Sequence, residues 1–149
     1  MVCVDVQDPG NAGTILRSAE AAGAGAVLFT GSCVDPTNPK AVRASAGSLF
    51  HVGVVSGGNA VDVLAELGRC GFRRYAADAR AGDTIDAVDL TGPVALVLGN
   101  EAHGLPTEID AMLDGRVTIP MAGRSESLNV GMAASVMCFE VARQRRSRD

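Results

Sequence analysis

Short apolar runs alternate along this chain with longer segments in which apolar residues recur every three or four positions. The runs are typical of buried strands, and the longer segments are typical of amphipathic helices. Strands are predicted at residues 2–6, 26–30, 51–55, 73–77, 94–98 and 116–121. Helices are predicted at about 11–22 and at 40–48, 60–69 and 106–113, and a terminal helix is predicted to begin at Ser127.

The regular alternation of strands and helices predicts an α/β fold with a mainly parallel sheet flanked by helices. Residues 94–98 form the most apolar run and are predicted to be a central strand. The chain has 149 residues, which suits one domain with a sizeable core. The pattern contains no internal repeat or linker, so residues 1–149 are predicted to form a single domain.

The terminal helix is apolar around most of its circumference, which is typical of a helix buried on more than one side. In a domain this small, the second buried side favours a homodimer, although a helix sunk in the core of a monomer is the alternative. The positions concerned are Leu128, Val130, Met132, Val136, Met137, Phe139 and Val141.

The net charge of −4 argues against a protein that coats nucleic acid non-specifically. Twelve of the thirteen basic residues are nevertheless arginines, and Lys40 is the sole lysine. Arginine suits phosphate recognition because its planar fork of donors is always charged. A GC-rich coding sequence would give the same bias. The basic run at residues 143–149 is predicted to be a solvated, fraying helix end.

The four cysteines are scattered and include no Cys-x-x-Cys pair, so neither a zinc site nor a redox dithiol is predicted. Their apolar surroundings indicate reduced thiols in the core of a cytoplasmic protein. No apolar run approaches the roughly 18 residues of a membrane span, and no signal peptide is evident.

Glycine and polar residues crowd three segments that follow predicted strands, at residues 7–13, 98–105 and 119–130. Parallel sheets bind ligands at the carboxyl ends of their strands, and glycine lets the backbone approach a ligand closely. Ordinary alternatives exist, since Asn11 and Ser127 could simply cap helices. The segment Gly23-Ala24-Gly25 precedes a strand, so it is not a dinucleotide fingerprint, and no phosphate-loop motif occurs.

These three segments together resemble the SpoU/TrmH family of RNA ribose 2′-O-methyltransferases, within the SPOUT class. Order and spacing agree over essentially the whole chain. The matching positions are Asn11, Gly13 and Arg17 in the first segment, Gly99, Asn100, Glu101, Gly104 and Leu105 in the second, and Ile119 to Met121 with Ser127 to Val130 in the third. The run Arg43-Ala44-Ser45-Ala46-Gly47 also looks like a family feature.

The resemblance implies methylation of a ribose 2′-hydroxyl in rRNA or tRNA, with S-adenosylmethionine as cofactor and no metal. It also implies a homodimer and a trefoil knot near the C-terminus, neither of which periodicity would reveal. The implied cofactor-binding residues are Ala77, Leu98, Gly99, Asn100, Glu101, Gly104, Ile119, Met121, Ser127 and Leu128.

The same resemblance implies catalytic roles for five residues, which are Arg17, Asn11, Glu101, Ser127 and Asn129. Arg17 would orient the ribose and its phosphate and stabilise oxyanion charge, because a guanidinium is a poor base. Asn11 would fix the hydroxyl, and Glu101 would hold loop backbone or an arginine. Ser127 and Asn129 would order the cofactor loop and the substrate side. RNA contacts are implied for Arg17, Arg43, Ser45 and Arg124.

Three departures keep other readings open. Ala102 stands where the family usually has glycine, and Gly131 replaces a frequent serine after Ser127 to Val130. His103, at a variable position, is interpreted as a loop residue rather than a base. Many members carry an N-terminal RNA-recognition domain, whereas this chain begins at the first strand of the catalytic domain, so that domain is expected to be absent. The alternatives are a weakly active, dimeric module that binds RNA or cofactor, and a knotted methyltransferase acting on another RNA position.

Overall fold

A single sheet of seven parallel strands organises the computed structural model, which describes residues 1–147; Arg148 and Asp149 of the basic run lie outside the described residues. The α/β class with a parallel sheet is confirmed. The sheet order is β3-β2-β1-β6-β4-β7-β5, so the predicted central strand β6 has three strands on each side. The strands are β1 (Val2–Val4), β2 (Ala26–Thr30), β3 (Gly53–Ser56), β4 (Arg73–Ala77), β5 (Asp83–Thr84), β6 (Val94–Leu98) and β7 (Gly115–Thr118).

Helices cover both faces of this sheet, and alternate residues of the central strands point to opposite faces. Leu96 and Leu98 of β6 pack in one cluster, and Ala95 and Val97 pack in the other. Both faces are therefore apolar, which explains the unbroken apolar run in β6. The helices are α1 (Pro9–Ala21), α2 (Pro39–Ala44), α3 (Ala60–Arg69) and α4 (Val130–Arg146), with 3-10 helices at Ser48–Phe50 and Thr107–Met112.

Two helix starts differ from the predicted ones because a neighbouring side chain caps the helix. Helix α1 begins at Pro9 rather than near residue 11, since Asp8 Oδ1 accepts a hydrogen bond from the Asn11 backbone N–H at 2.9 Å. Helix α4 begins at Val130 rather than Ser127, since Asn129 Oδ1 accepts from the Gly131 backbone N–H at 2.9 Å. Both caps hold residues that belong to the predicted site.

Backbone turns shorten two other predicted elements. The predicted helix 40–48 ends at Ala44 in the structure, because Ala46 and Gly47 have φ angles of 50° and 92°. Strand β1 ends at Val4, because Asp5 has a φ of 56°. The predicted helix 106–113 is a 3-10 helix, and the short strand β5 was not predicted.

Helices α1 and α4 run side by side in the same direction on one face of the sheet. Asn11 contacts Asn129, 118 positions apart, and Ser18 Oγ lies 2.6 Å from Ser135 Oγ, 117 positions apart. The close approach depends on Gly131, where an added Cβ would lie 3.1 Å from Thr14 Cβ. This packing places the start of α1 beside the start of α4.

The face of α4 that packs inward carries Ala134, Met137 and Val141, all buried. Its outward face carries an apolar stripe, Met132, Val136 and Phe139, whose exposed fractions are 56%, 43% and 47%. The apolar positions predicted around this helix thus form two faces. One face packs in the core, and the other is not covered by residues 1–147 of a single copy.

Strand β7 lies between β4 and β5, although β4 and β5 are joined by the five-residue β4–β5 connection, residues 78–82. The segment after β5 is held by Gln144 of α4. The Gln144 amide donates to the carbonyl oxygen of Val88 at 3.1 Å and accepts from the Leu90 N–H at 2.9 Å. The trefoil knot stays a prediction.

All four cysteines are free thiols, as predicted, but Cys70 is exposed at the end of α3 rather than in the core. Burial raises the pKa of the Cys138 thiol to about 11. Among the helices of residues 1–147, none combines the length and the apolarity needed to cross a membrane.

Candidate functional site

A cavity of about 370 Å³ opens at the carboxyl edge of the sheet, between the ends of β4 and β6 and the loop of residues 119–129. This loop is called the donor loop, after the contacts to the methyl-donating cofactor that the sequence predicts there. The size of the cavity falls within the range of small-molecule sites. All ten residues for which the sequence predicts cofactor contacts line it, namely Ala77, Leu98, Gly99, Asn100, Glu101, Gly104, Ile119, Met121, Ser127 and Leu128. The fold therefore brings three distant segments of the chain to one place.

A tight turn after β6 forms one wall of the cavity. Asn100 and Gly104 exchange two backbone hydrogen bonds of 2.9 Å, and Gly104 has a φ of 70°. A Cβ on Gly99 would lie 2.5 Å from the Gly104 carbonyl carbon, so both glycines are required. Ala102 fits this turn because its φ is not positive, so it does not need the freedom of glycine. Within residues 1–147, the non-glycine residues with a positive φ are Asp5 and Ala46.

Three polar side chains form a rim network at the edge of the cavity: Asn11, Glu101 and Asn129. The Asn11 Nδ2 donates to Glu101 Oε1 at 2.9 Å, and the Asn129 Nδ2 donates to Asn11 Oδ1 at 2.9 Å. The backbone N–H of Asp8 adds a bond of 3.4 Å to the same carboxylate oxygen. The starts of α1 and α4 and the turn after β6 are thus joined through side chains.

The rim network has a fixed direction, because each amide is committed by its neighbour. The cap of α4 requires Asn129 Oδ1 to accept, so its Nδ2 must donate to Asn11 Oδ1. The Asn11 Nδ2 then faces Glu101, which accepts as a carboxylate. Reversing either amide would place two acceptors together, and reversing the Asn129 amide would also break the cap of α4.

Glu101 remains ionised in this arrangement. Partial burial raises the pKa of its carboxyl, but hydrogen bonds from the Asn11 amide and from nearby backbone N–H groups outweigh that effect and hold its pKa below the usual range. Glu101 can therefore accept further hydrogen bonds or pair with a cation at neutral pH.

The predicted RNA-contacting residues do not line the cavity. Arg17, Arg43 and Arg124 are exposed, and in residues 1–147 none of these three side chains forms a hydrogen bond or ion pair. Arg17 follows Asn11 by six positions, which is about 9 Å along α1 and away from the cavity edge. Ser45 is fully buried, and its hydroxyl donates to the Val42 carbonyl at 2.8 Å; its contact with RNA stays a prediction.

The model of the SpoU rRNA Methylase family matches residues 1–139. The chain belongs to the SpoU methylase family.

Relatives of this SpoU-family chain include an uncharacterized tRNA/rRNA methyltransferase of Synechocystis, 37% identical over 145 residues, covering 97% of this chain and 53% of the relative. The 23S rRNA (guanosine-2′-O-)-methyltransferase RlmB of Xanthomonas axonopodis is 42% identical over 140 residues, covering 94% of this chain and 56% of the relative. The chain therefore spans about half the length of these curated relatives.

Solved structures resemble the fold closely. The SpoU methyltransferase AviRb of Streptomyces viridochromogenes, in complex with AdoMet, superposes with a TM-score of 0.90 at 36% identity, covering 98% of this chain and 60% of AviRb. A protein whose structure concerns 2-OH methylation on tRNA superposes with a TM-score of 0.88 at 30% identity, covering 99% of this chain and 95% of that protein.

Sequence reasoning missed several residues of the cavity, of which Asp78 and Glu126 are charged. Asp78 directly follows β4, so its place at a strand end was a usable signal. Glu126 lies in an irregular loop whose path no periodicity predicts. A second cavity, of about 270 Å³, lies at the opposite edge of the sheet and is lined mostly by apolar residues. No cluster of metal-ligating side chains exists within residues 1–147.

Proposed function

We propose that this SpoU-family chain transfers the methyl group of S-adenosylmethionine to a ribose 2′-hydroxyl of rRNA or tRNA. The observation that carries the proposal is the rim network, Asn11, Glu101 and Asn129, at the edge of a cavity lined by all ten predicted cofactor residues. The similarity to AviRb, which is solved with AdoMet, supports the choice of donor.

The cavity fits S-adenosylmethionine in volume and in chemistry. Leu98, Ile119 and Leu128 offer apolar surface to an adenine ring, and the turn at Gly99 lets backbone groups approach the ligand. The bound sulfonium supplies an electrophilic methyl group, so the chain needs no metal. The task left to the protein is to hold a weak nucleophile at attack distance and in line.

Asn11 and Glu101 position the acceptor in this proposal. Asn11 is held from both sides, so its amide keeps one orientation while substrate enters. The Glu101 carboxylate has a second oxygen that can accept from the ribose hydroxyl or pair with an arginine. Ser127, exposed beside the cavity, supplies a further hydroxyl for the donor or the ribose.

Arg17 orients the ribose and phosphate and stabilises the developing oxyanion in a homodimer. Arg17 and the apolar stripe are exposed on the neighbouring helices α1 and α4. In the proposed dimer, a second copy covers the apolar stripe and Arg17 serves a site from which it is separated in a single copy. Arg43 and Arg124 remain available to contact RNA phosphates.

The proposed fold includes the trefoil knot. Its support is the placement of β7 between β4 and β5 together with the bonds from Gln144 of α4 to the segment after β5. Such an arrangement follows if the chain after β7 passes through the loop that contains β5.

The decisive experiment combines titration calorimetry with a transfer assay. S-adenosylmethionine and its demethylated product should each bind without RNA, and methyl groups should appear on ribose 2′-oxygens of rRNA or tRNA supplied at high concentration. Absence of heat and of any thermal shift at millimolar ligand would overturn the donor site. Binding without transfer would favour the binding module, and methylated bases would favour the other knotted class.

A further inference from the structure

Arg116 of β7 joins two carboxylates that come from different segments of the chain. Its Nη1 donates to Asp78 Oδ2 at 2.8 Å, and its Nη2 donates to Asp110 Oδ1 at 2.5 Å. The Asp78 side chain is 24% exposed and lines the cavity at the carboxyl edge of the sheet. The Asp110 side chain is 50% exposed and lies in a 3-10 helix outside that cavity. The two arms of Arg116 therefore differ in their relation to the site.

Asp78 organises the β4–β5 connection at the cavity wall. Its Oδ1 accepts from the backbone N–H groups of Arg80 and Ala81 at 2.9 and 3.1 Å, and its own N–H donates to the Val117 carbonyl at 2.9 Å. These bonds use one carboxylate oxygen, and Arg116 binds the other. The shape of the connection thus depends on an anchored Asp78.

The connection also rests on the backbone of Arg116. Gly82 has a φ of 109°, and an added Cβ would lie 2.3 Å from the Arg116 carbonyl oxygen. Arg80 belongs to the same connection, and its guanidinium lies 3.5 Å from the carboxylate of Glu126 in the donor loop. Glu126 lines the same cavity as Asp78 and precedes Ser127.

We infer that Arg116 is a positioning residue for the methyl donor: through Asp78 it fixes the β4–β5 connection, which carries Arg80 to Glu126 and so sets the two walls of the cavity. The inference rests on the proposed function. The positioning role belongs to the Arg116–Asp78 ion pair, because Asp78 lines the cavity and Asp110 does not. The exposed Arg80–Glu126 pair is weak by itself and depends on the anchored connection for its position.

Four variants separate donor positioning from ordinary stabilisation. Calorimetry with S-adenosylhomocysteine should give a dissociation constant at least about tenfold higher for Arg116→Met, a loss of about 1.4 kcal/mol. Asp78→Asn should weaken binding in the same direction, because its amide oxygen keeps the two backbone bonds but loses the ion pair. Arg116→Lys should recover part of the affinity, because one ammonium can still pair with Asp78.

Asp110→Asn is the matched control, since it removes the other arm of the same guanidinium. It should lower the thermal stability of the ligand-free chain without changing the dissociation constant by more than about twofold, a small free-energy difference. Faster release of S-adenosylhomocysteine by Asp78→Asn, measured by stopped flow, should account for its weaker binding.

The outcomes are distinct from those that test the proposed function. Wild type that does not bind S-adenosylhomocysteine contradicts the donor site itself. Wild type that binds, together with an unchanged dissociation constant in Asp78→Asn, overturns the positioning role alone. If Arg116→Met fails to fold, Asp78→Asn still decides, and equal losses of affinity in Asp78→Asn and Asp110→Asn would reduce Arg116 to a structural residue.

Discussion

Asn129 donates a hydrogen bond from Nδ2 to Oδ1 of Asn11, at 2.9 Å, across 118 positions of sequence. The same Asn129 caps α4 through its Oδ1. One side chain therefore couples the start of a helix to the side chain of Asn11 at the edge of the cavity. The order of the donor loop and the orientation of Asn11 are linked, because any rotation of the Asn129 amide breaks both interactions.

Replacing Asn129 by Asp should separate the cap from the donated bond. Asp caps a helix about as well as Asn, so the contribution of the cap to the free energy of unfolding should change by less than about 0.5 kcal/mol. The new carboxylate, however, faces Asn11 Oδ1, and turning the Asn11 amide would place its oxygen against Glu101. Methyl transfer should fall at least about 10²-fold, the scale of losing one well-placed polar group.

Asn129→Ala serves as the comparison, because it removes both interactions. It should lose about 1 kcal/mol of stability in urea unfolding, the usual cost of a lost N-cap. Its transfer rate should also fall. A near wild-type rate for Asn129→Asp would show that the donated bond is not needed for catalysis.

Arg17→Ala should keep the fold and the affinity for S-adenosylmethionine, because Arg17 is exposed and does not line the cavity. Methyl transfer should fall at least about 10²-fold if Arg17 stabilises the oxyanion. Arg17→Lys should recover little, since an ammonium cannot reproduce the bidentate fork. Arg69→Ala, an exposed arginine of α3, is the control and should leave transfer unchanged.

The apolar stripe of α4 provides a test of the homodimer. Phe139→Asp or Met132→Asp should give a folded monomer by light scattering and circular dichroism, because both side chains are about half exposed in one copy. Met137→Asp should unfold the chain instead, since its side chain is buried and the charge would have no partner. Wild type that is monomeric at micromolar concentration would exclude the proposed interface.

Acid should unfold the chain partly through Asp114. The side chain of Arg74 forms two hydrogen bonds to this carboxylate, of 2.8 and 3.0 Å, and holds its pKa below the usual range. A pKa lowered by folding adds stability that is present above the unfolded value, about 3.9, and is lost as the pH falls through the folded value.

The free energy of unfolding should therefore be steady near neutral pH and should decline below about pH 4. Asp114→Asn should be less stable at pH 7 and should show a shallower decline in acid. Glu66→Gln removes an exposed pair to Arg69 and should change little. Curves for Asp114→Asn and wild type that run parallel through the acid range would contradict this role.

Sequence patterns predicted the parts of the fold that burial dictates. Strand β6 has the predicted bounds, because both of its faces are apolar and no polar residue interrupts them. The bounds of α3 were also predicted, since Asn59 caps its start and its apolar residues recur at helical spacing. The end of the helix predicted at residues 40–48 was wrong, because local propensity does not predict the positive φ of Ala46.

For the site, the sequence predicted which residues line the cavity but not how their side chains interact. Family motifs identified the residues that line the cavity, and strand ends indicated two of its three segments on physical grounds. Neither source predicted the direction of the rim network, which follows from the cap at Asn129. The role of Asp78 was also missed, because its partner Arg116 is 38 positions away and meets it through the order of the strands.

The position of β7 between β4 and β5 also sets an order of events during synthesis. Strand β5 pairs with β7 in the described sheet, so it has no neighbour until residues 115–118 have left the ribosome. At about 5–20 residues per second, that interval lasts on the order of seconds. The cavity between β4, β6 and the donor loop needs all three segments together, so a nascent chain cannot complete it before this edge of the sheet has closed.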